Sequence, residues 1–160
     1  MITVQELLKI YKKETATTLK VMRAFPEGKL EFTPHERSSN AKKLIKTFVF
    51  EMYLLELHIF GDKIDGSKFQ NYNPESLQTL ISDFDTESSR CITNLERLKD
   101  EDLSKTVEFA GHKSQADEFI LKMLFDQIHH RGQLSVYVRM AGGKVPSIYG
   151  PSADDPTTNL

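Results

Sequence analysis

The chain has 160 residues, 39% of them hydrophobic and 28% charged, and 21 basic against 23 acidic side chains leave a formal net charge of -2. That balance describes one globular domain, excludes a disordered chain, and offers no basic stripe for a nucleic-acid partner. No run approaches the ~18 uncharged apolar residues of a membrane span, and the charges in MITVQELLKIYKKE interrupt what a secretion signal keeps apolar, so a cytoplasmic location is expected.

Four segments carry helical periodicity. The first opens at TVQE, where Thr3 and Glu6 have capping-box spacing. Val4, Leu7, Leu8, Tyr11, Leu19 and Met22 then share one face until Pro26 and Gly28 end the helix. The second runs from about Ser39 to Phe60, buries Leu44, Ile45, Phe48, Val49, Met52, Leu55 and Ile59, and stops at Gly61. The third is predicted to begin at NPES, with Asn73 as cap and Pro74 in the first helical position. Cys91 lies on its apolar stripe and reads as a small buried residue, not a nucleophile. As the single cysteine it also excludes an internal disulfide and a cysteine-rich zinc site.

From Leu103 to Lys113 the pattern loosens, and KTVEFAGHK reads as a short extended or hairpin-like piece. The fourth helix is predicted from Ser114, with Asp117 in the capping-box position, to Ala141, where Gly142 and Gly143 terminate it. The turn-rich remainder reads as an ordered loop that frays toward its end. Four apolar stripes with little strand must be buried against one another. The expected fold is therefore all-α, a four-helix bundle in a single domain over 1–160, with 142–160 as C-terminal loop and tail. The connection containing DGSKFQNYN is long enough for a crossover between the second and third helices.

The stretch DQIHHRGQ holds the residues with most chemistry. Asp126 and His130 are four apart, so a helix places them on one face about one turn from each other. Phe119, Met123 and Tyr137 fall near the same row, which predicts that the pair faces the bundle interior, opposite Thr47 and Glu51 of the second helix. Bundle cores hold metals with carboxylates and histidines in this way, and a hydrogen-bonded Asp–His pair with no metal is the plain alternative. His129 is turned about 100° from His130 and cannot share an ion with it. His58 is about 16 Å along the helix from Thr47, too far for a common site. Gly132 costs about 1 kcal/mol against alanine in a helix interior, which suggests close approach of a neighbouring helix or subunit, flanked by Arg131 and Gln133.

IHHRGQLSVYVRMAGGKVPSIYGPS resembles the fourth helix and following loop of the DinB (damage-inducible) family, the DinB/YfiT-like metalloenzymes, and RSSNAKKLIKTFVFEMYLLE resembles that family's second helix. The family pattern is a histidine, three residues, a second histidine followed by Arg/Lys-Gly-Gln, then a helix ending in glycine and a proline-containing loop. The resemblance implies a commonly dimeric four-helix bundle with a divalent metal held by three histidines, one on the second helix and two on the fourth. Carried over, the positions are His130, Asp126 and Thr47, so this chain departs from the triad at two of three.

Threonine is a poor ligand for zinc or nickel. Either Glu51 completes a Glu51, Asp126, His130 set suited to manganese or iron, or the pocket has lost its metal. The resemblance implies a metal-dependent thiol S-transferase or isomerase acting with a low-molecular-weight thiol. The alternative is a non-catalytic homodimeric bundle that binds a small ligand or protein partner.

Overall fold

The computed structural model describes residues 2–61 and 71–156. Its helices are α1 (Val4–Arg23), α2 (Ala41–Ile59), α3 (Leu77–Leu95) and α4 (Ala116–Met140). A 3-10 turn over Asp100–Ser104 and a hairpin of β1 (Thr106–Phe109) and β2 (His112–Gln115) lie between α3 and α4. The architecture is the expected four-helix bundle, with the small hairpin as an addition. The apolar stripes meet as α1 with α3 and α4, and α2 with α3 and α4, so α1 and α2 face each other across a diagonal. The predicted crossover before α3 falls mainly outside the described residues.

Local signals set the ends. The Thr3 hydroxyl accepts from the Glu6 amide at 3.2 Å, and the Glu6 carboxylate accepts from the Thr3 amide at 2.9 Å, closing the capping box. Asn40 caps α2 through the Lys43 amide at 2.9 Å. Two starts move from their expected places. Ser76, not Asn73, caps α3, its hydroxyl accepting from the Thr79 amide at 3.0 Å. A better-placed cap directly before the apolar stripe outweighs the Asn-Pro pair. Gln115, not Ser114, caps α4: the hairpin pairing runs on through Gln115, opposite Thr106, and the Gln115 amide donates to the Glu118 carboxylate at 3.2 Å. Ala110 and Gly111 turn that hairpin with φ of 52° and 79°, the left-handed pair of a two-residue turn.

Tyr11, Phe48, Phe84 and Phe119 are fully or nearly fully buried in the core, each such side chain contributing about 1.5–3 kcal/mol. Cys91 lies with them at 0% exposure, and burial pushes its thiol well above the ordinary range, which suits packing and not nucleophilic attack. The C-terminal loop folds back onto the bundle. Asp154 accepts from the Val145 amide at 3.0 Å and from Arg139 at 2.8 Å, while Lys20 donates to the Ser147 carbonyl at 2.9 Å.

Among the described glycines the one under steric demand is Gly143, not Gly132. A Cβ at Gly132 would meet nothing within 4 Å, so no neighbouring helix of this chain explains it. At Gly143 a Cβ would stand 2.7 Å from the Ala24 carbonyl oxygen and 2.9 Å from Val138 Cγ1. Gly143→Ala must therefore separate the end of α4 from the end of α1. We expect it to cost about 1–3 kcal/mol in urea denaturation, with Gly132→Ala neutral or stabilising.

Candidate metal centre

Glu51 stands mid-way along α2, on the side that meets α4. Its neighbours Phe48, Val49, Met52 and Leu55 belong to the core, and it is carried inside with them to 2% exposure. Among the described residues no donor reaches either of its carboxylate oxygens. Burial, reinforced by the nearby Asp126 carboxylate, pushes its pKa up to about 9. Asp126 can hydrogen-bond Glu51 only through a proton held between them, because two ionised carboxylates both accept and neither donates.

Asp126 and His130 reach the same point from α4. One ligand-type atom from each of Glu51, Asp126 and His130 lies within 4.8 Å of the others, and His130 Nε2 is 3.7 Å from Asp126 Oδ2. Gln133, three residues on, orients the imidazole. Its Oε1 is 3.1 Å from His130 Nδ1, and its Nε2 is 2.9 Å from His129 Nε2. An amide oxygen accepts and an amide nitrogen donates, so neutral His130 carries its proton on Nδ1 and presents a bare Nε2 to the carboxylates. A ligating histidine is held by such a second hydrogen bond. The i, i+3 spacing of His130 and Gln133 is the signal that could have revealed this role, in place of the interface role expected for Gln133.

The cluster is less enclosed than its spacing suggested. Asp126 is expected in the interior, yet 50% of its side chain is exposed, against 23% for His130. Phe119, Met123 and Tyr137 of the expected row are buried, but the buried face of α4 centres on Ile120, Leu124, Gln127, Arg131, Leu134 and Val138, and Asp126 lies at its edge, rotated about 100° from Gln127. Asp126 thus forms the rim of a groove toward α2, with Glu51 as its floor. The Thr47 hydroxyl donates back to the Lys43 carbonyl at 3.2 Å, one turn from Glu51.

The remaining histidines do other things. His58 packs edge-on against Phe109 and Phe119, with ring centroids 5.2 and 5.5 Å away. His35 accepts from the Arg37 amide at 3.1 Å. Arg131, expected beside an interface, turns inward and is 1% exposed, paired with Glu14 of α1 at 2.7 Å.

Two cavities flank the cluster. One, of about 570 Å³, is lined by Phe50, Leu54, Phe109, Met123 and Phe125, and also by Glu51, Asp126, Lys122 and His129. The other, of about 380 Å³, is of mixed character, lined by Ser38, Ser39, Lys43, Gln133 and His130 beside Leu44 and Tyr137. Thr47 lines both. Two carboxylates and one imidazole are an oxygen-rich donor set that can hold a hard divalent ion with a coordination position left open at the groove.

The bundle and the HRGQ stretch can be set against known proteins. The profile of the DinB family matches residues 1–160. Two proteins of Bacillus subtilis (strain 168), each named an uncharacterized protein, are similar in sequence. YrdA is 30% identical over 83 residues, 51% of this chain and 50% of YrdA, so the match spans half of that relative's length. YjoA is 29% identical over 117 residues, 69% of this chain and 73% of YjoA. The crystal structure of a DinB-like protein from Bacillus cereus ATCC 10987 matches with a TM-score of 0.82 at 22% identity, covering 92% of this chain and 98% of that one. The YjoA crystal structure, likewise described as DinB-like, matches with a TM-score of 0.68 at 24% identity, covering 85% and 91%. At these identities the two structures bear on the fold alone. With the family profile running from the capping box of α1 through the HRGQ helix to the end of the tail, the chain belongs to the DinB family.

Proposed function

We propose that this chain binds a divalent ion of the manganese or iron type through Glu51, Asp126 and His130. In this reading it acts as a metal-dependent enzyme on a small molecule, of the thiol S-transferase or isomerase type. The observation that carries the reading is Glu51: a carboxylate 2% exposed, with no donor on either oxygen, beside a second carboxylate and an oriented imidazole. A cation is what such a group lacks. When bound, the ion supplies Lewis acidity and lowers the pKa of a thiol or water beside it. The chain's own residues do the rest. Gln133 fixes the imidazole, Glu51 anchors the floor, and Asp126 closes the solvent side of the groove.

Calorimetric titration of untagged protein tests this. Wild type is expected to bind manganese, and Glu51→Gln to weaken it by at least about 100-fold, because a principal ligand loses its charge. Thr47→His with Asp126→His rebuilds three histidines and should exchange that preference for tight zinc or nickel binding. If wild type binds no divalent ion, the second reading takes over: a bundle that has lost its metal and binds a small ligand without catalysis. The substitutions Thr47 and Asp126 favour that reading.

We also propose that the chain forms a two-fold dimer through α4. Phe125, Val136 and Met140 are 63%, 55% and 54% exposed on one face, with Gly132 between them and open space over it. A symmetric dimer buries such a face against its own copy. Light scattering is expected to give twice the chain mass, and Val136→Glu with Met140→Glu to halve it. A wild-type monomer at micromolar concentration would count against the dimer.

A further inference from the structure

We infer that the ligand of this site is amphipathic: a hydrocarbon body seated in the apolar cavity, with a metal-ligating polar head at the carboxylate and histidine cluster. The head rests on the metal reading above; the body rests on the cavity alone.

The cavity of about 570 Å³ falls within the several-hundred-Å³ range of small-molecule sites. Three elements build its walls: Phe50 and Leu54 from α2, Phe109 from the hairpin, and Met123 and Phe125 from α4. The hairpin wall is held in place without a ligand, since Phe109 packs edge-on against His58 and Phe119 at 5.2 and 5.5 Å between ring centroids. Thr47, Lys122, Asp126 and His129 also line this cavity, but most of its exposed surface is apolar, and Glu51 is buried with both oxygens unpartnered among the described residues. Sites of this kind orient a ligand by a few polar groups and hold it by apolar contact. A sugar or peptide would leave hydroxyls and amides unpaired against Phe50, Leu54 and Met123, which costs affinity. A hydrocarbon body gains about four-fold in affinity per methylene buried. The smaller cavity across the cluster, with Ser39, Lys43 and Gln133 beside Leu44 and Tyr137, is of mixed character and offers more hydrogen-bonding groups.

The test compares butanohydroxamate with octanohydroxamate, two chelators sharing a head and differing by four methylenes, on manganese-loaded full-length protein. Manganese binding is first measured alone by the loss of its free electron paramagnetic resonance signal. The expected result is at least about 30-fold tighter binding of the longer chain, out of the ~200-fold that four fully buried methylenes allow. Phe125→Ser and Leu54→Ser should shrink that ratio to a few-fold while leaving manganese affinity unchanged. Phe125 is 63% exposed in the single chain, so its replacement does not threaten the fold; it also lies on the proposed dimer face, so Leu54 of α2, away from that face, is the variant that reads the cavity alone. Manganese binding with no chain-length preference, or a preference both variants keep, overturns the inference and spares the metal reading. Absence of manganese binding overturns the metal reading. In that case octan-1-ol on the metal-free protein decides: saturable binding lost in both variants upholds the apolar seat, and no binding overturns it as well.

Discussion

Raising the pH from about 4.5 to about 9 should destabilise the metal-free protein through Glu51, and Glu51→Gln should remove that loss. In the folded state the Glu51 pKa is pushed up to about 9 from 4.5, first by burial and then by Asp126. Below the unfolded pKa both states hold the proton and Glu51 carries no penalty. Above it the unfolded chain releases the proton while the folded chain keeps it, so the folded state binds more protons and stability falls as pH rises. The fall continues until the folded carboxyl itself ionises. By neutral pH it should amount to on the order of 3 kcal/mol. Urea denaturation of wild type and Glu51→Gln at several pH values, with a chelator present, measures it. Glutamine cannot ionise, so the variant gains on wild type steadily across this window. Manganese needs the ionised carboxylate and competes with the proton, so its stabilising effect should grow with pH over the same range. Parallel curves for the two proteins would mean that Glu51 is not held neutral in the fold.

Replacing Arg131 with methionine should cost about 3–5 kcal/mol, the largest effect expected of any single substitution outside the apolar core. Arg131 is 1% exposed and donates to the Glu14 carboxylate at 2.7 Å and to the Glu14 carbonyl at 3.1 Å. It also donates to the Tyr149 hydroxyl, which in turn donates to Glu14 at 2.6 Å. Thr18 and Gln127 continue the network through a 3.0 Å bond. The arginine therefore joins α4 to α1 and pins the C-terminal loop over both. Arg131→Met strands the Glu14 charge in the interior. Arg131→Met with Glu14→Met removes both charges and should recover most of the loss, since a buried pair replaced by apolar groups of similar size is often neutral. Guanidinium or urea denaturation of the three proteins reads the difference. A double variant as unstable as the single one would show that the guanidinium's packing, and not the unpaired charge, is what α4 needs there.

Much of this could be read along the chain. Helical periodicity is local, since it depends on the spacing of apolar residues, and it placed all four helices within a few residues of where they lie. The exceptions were ends where two capping residues competed, Asn73 against Ser76 and Ser114 against Gln115. There the start of the stripe decided at α3, and the reach of the Glu118 carboxylate to the Gln115 amide at α4. The pairing of Asp126 with His130 and the candidacy of Glu51 were equally legible, because a four-residue step along a helix is geometry the chain carries by itself. The HRGQ stretch and the order of the helices were enough to suggest the DinB family.

Rotation about each helix axis was not legible, because it is settled only when four stripes are packed at once. That rotation turned Arg131 inward to Glu14, more than a hundred positions away, and left Asp126 at the rim of its groove. It gave Gln133 to His130 in place of an interface, and put the close contact at Gly143 in place of Gly132. The environment of Glu51 belongs to the same class. A glutamate on a helix carries no mark of burial, and its raised pKa arises from the desolvation and the facing carboxylate that packing against α4 supplies. Short-range spacing along the chain specifies the helices, their order and the residue types available for chemistry. Which polar groups lose their water, and what they meet there, follows from packing, since desolvation depends on every neighbour together.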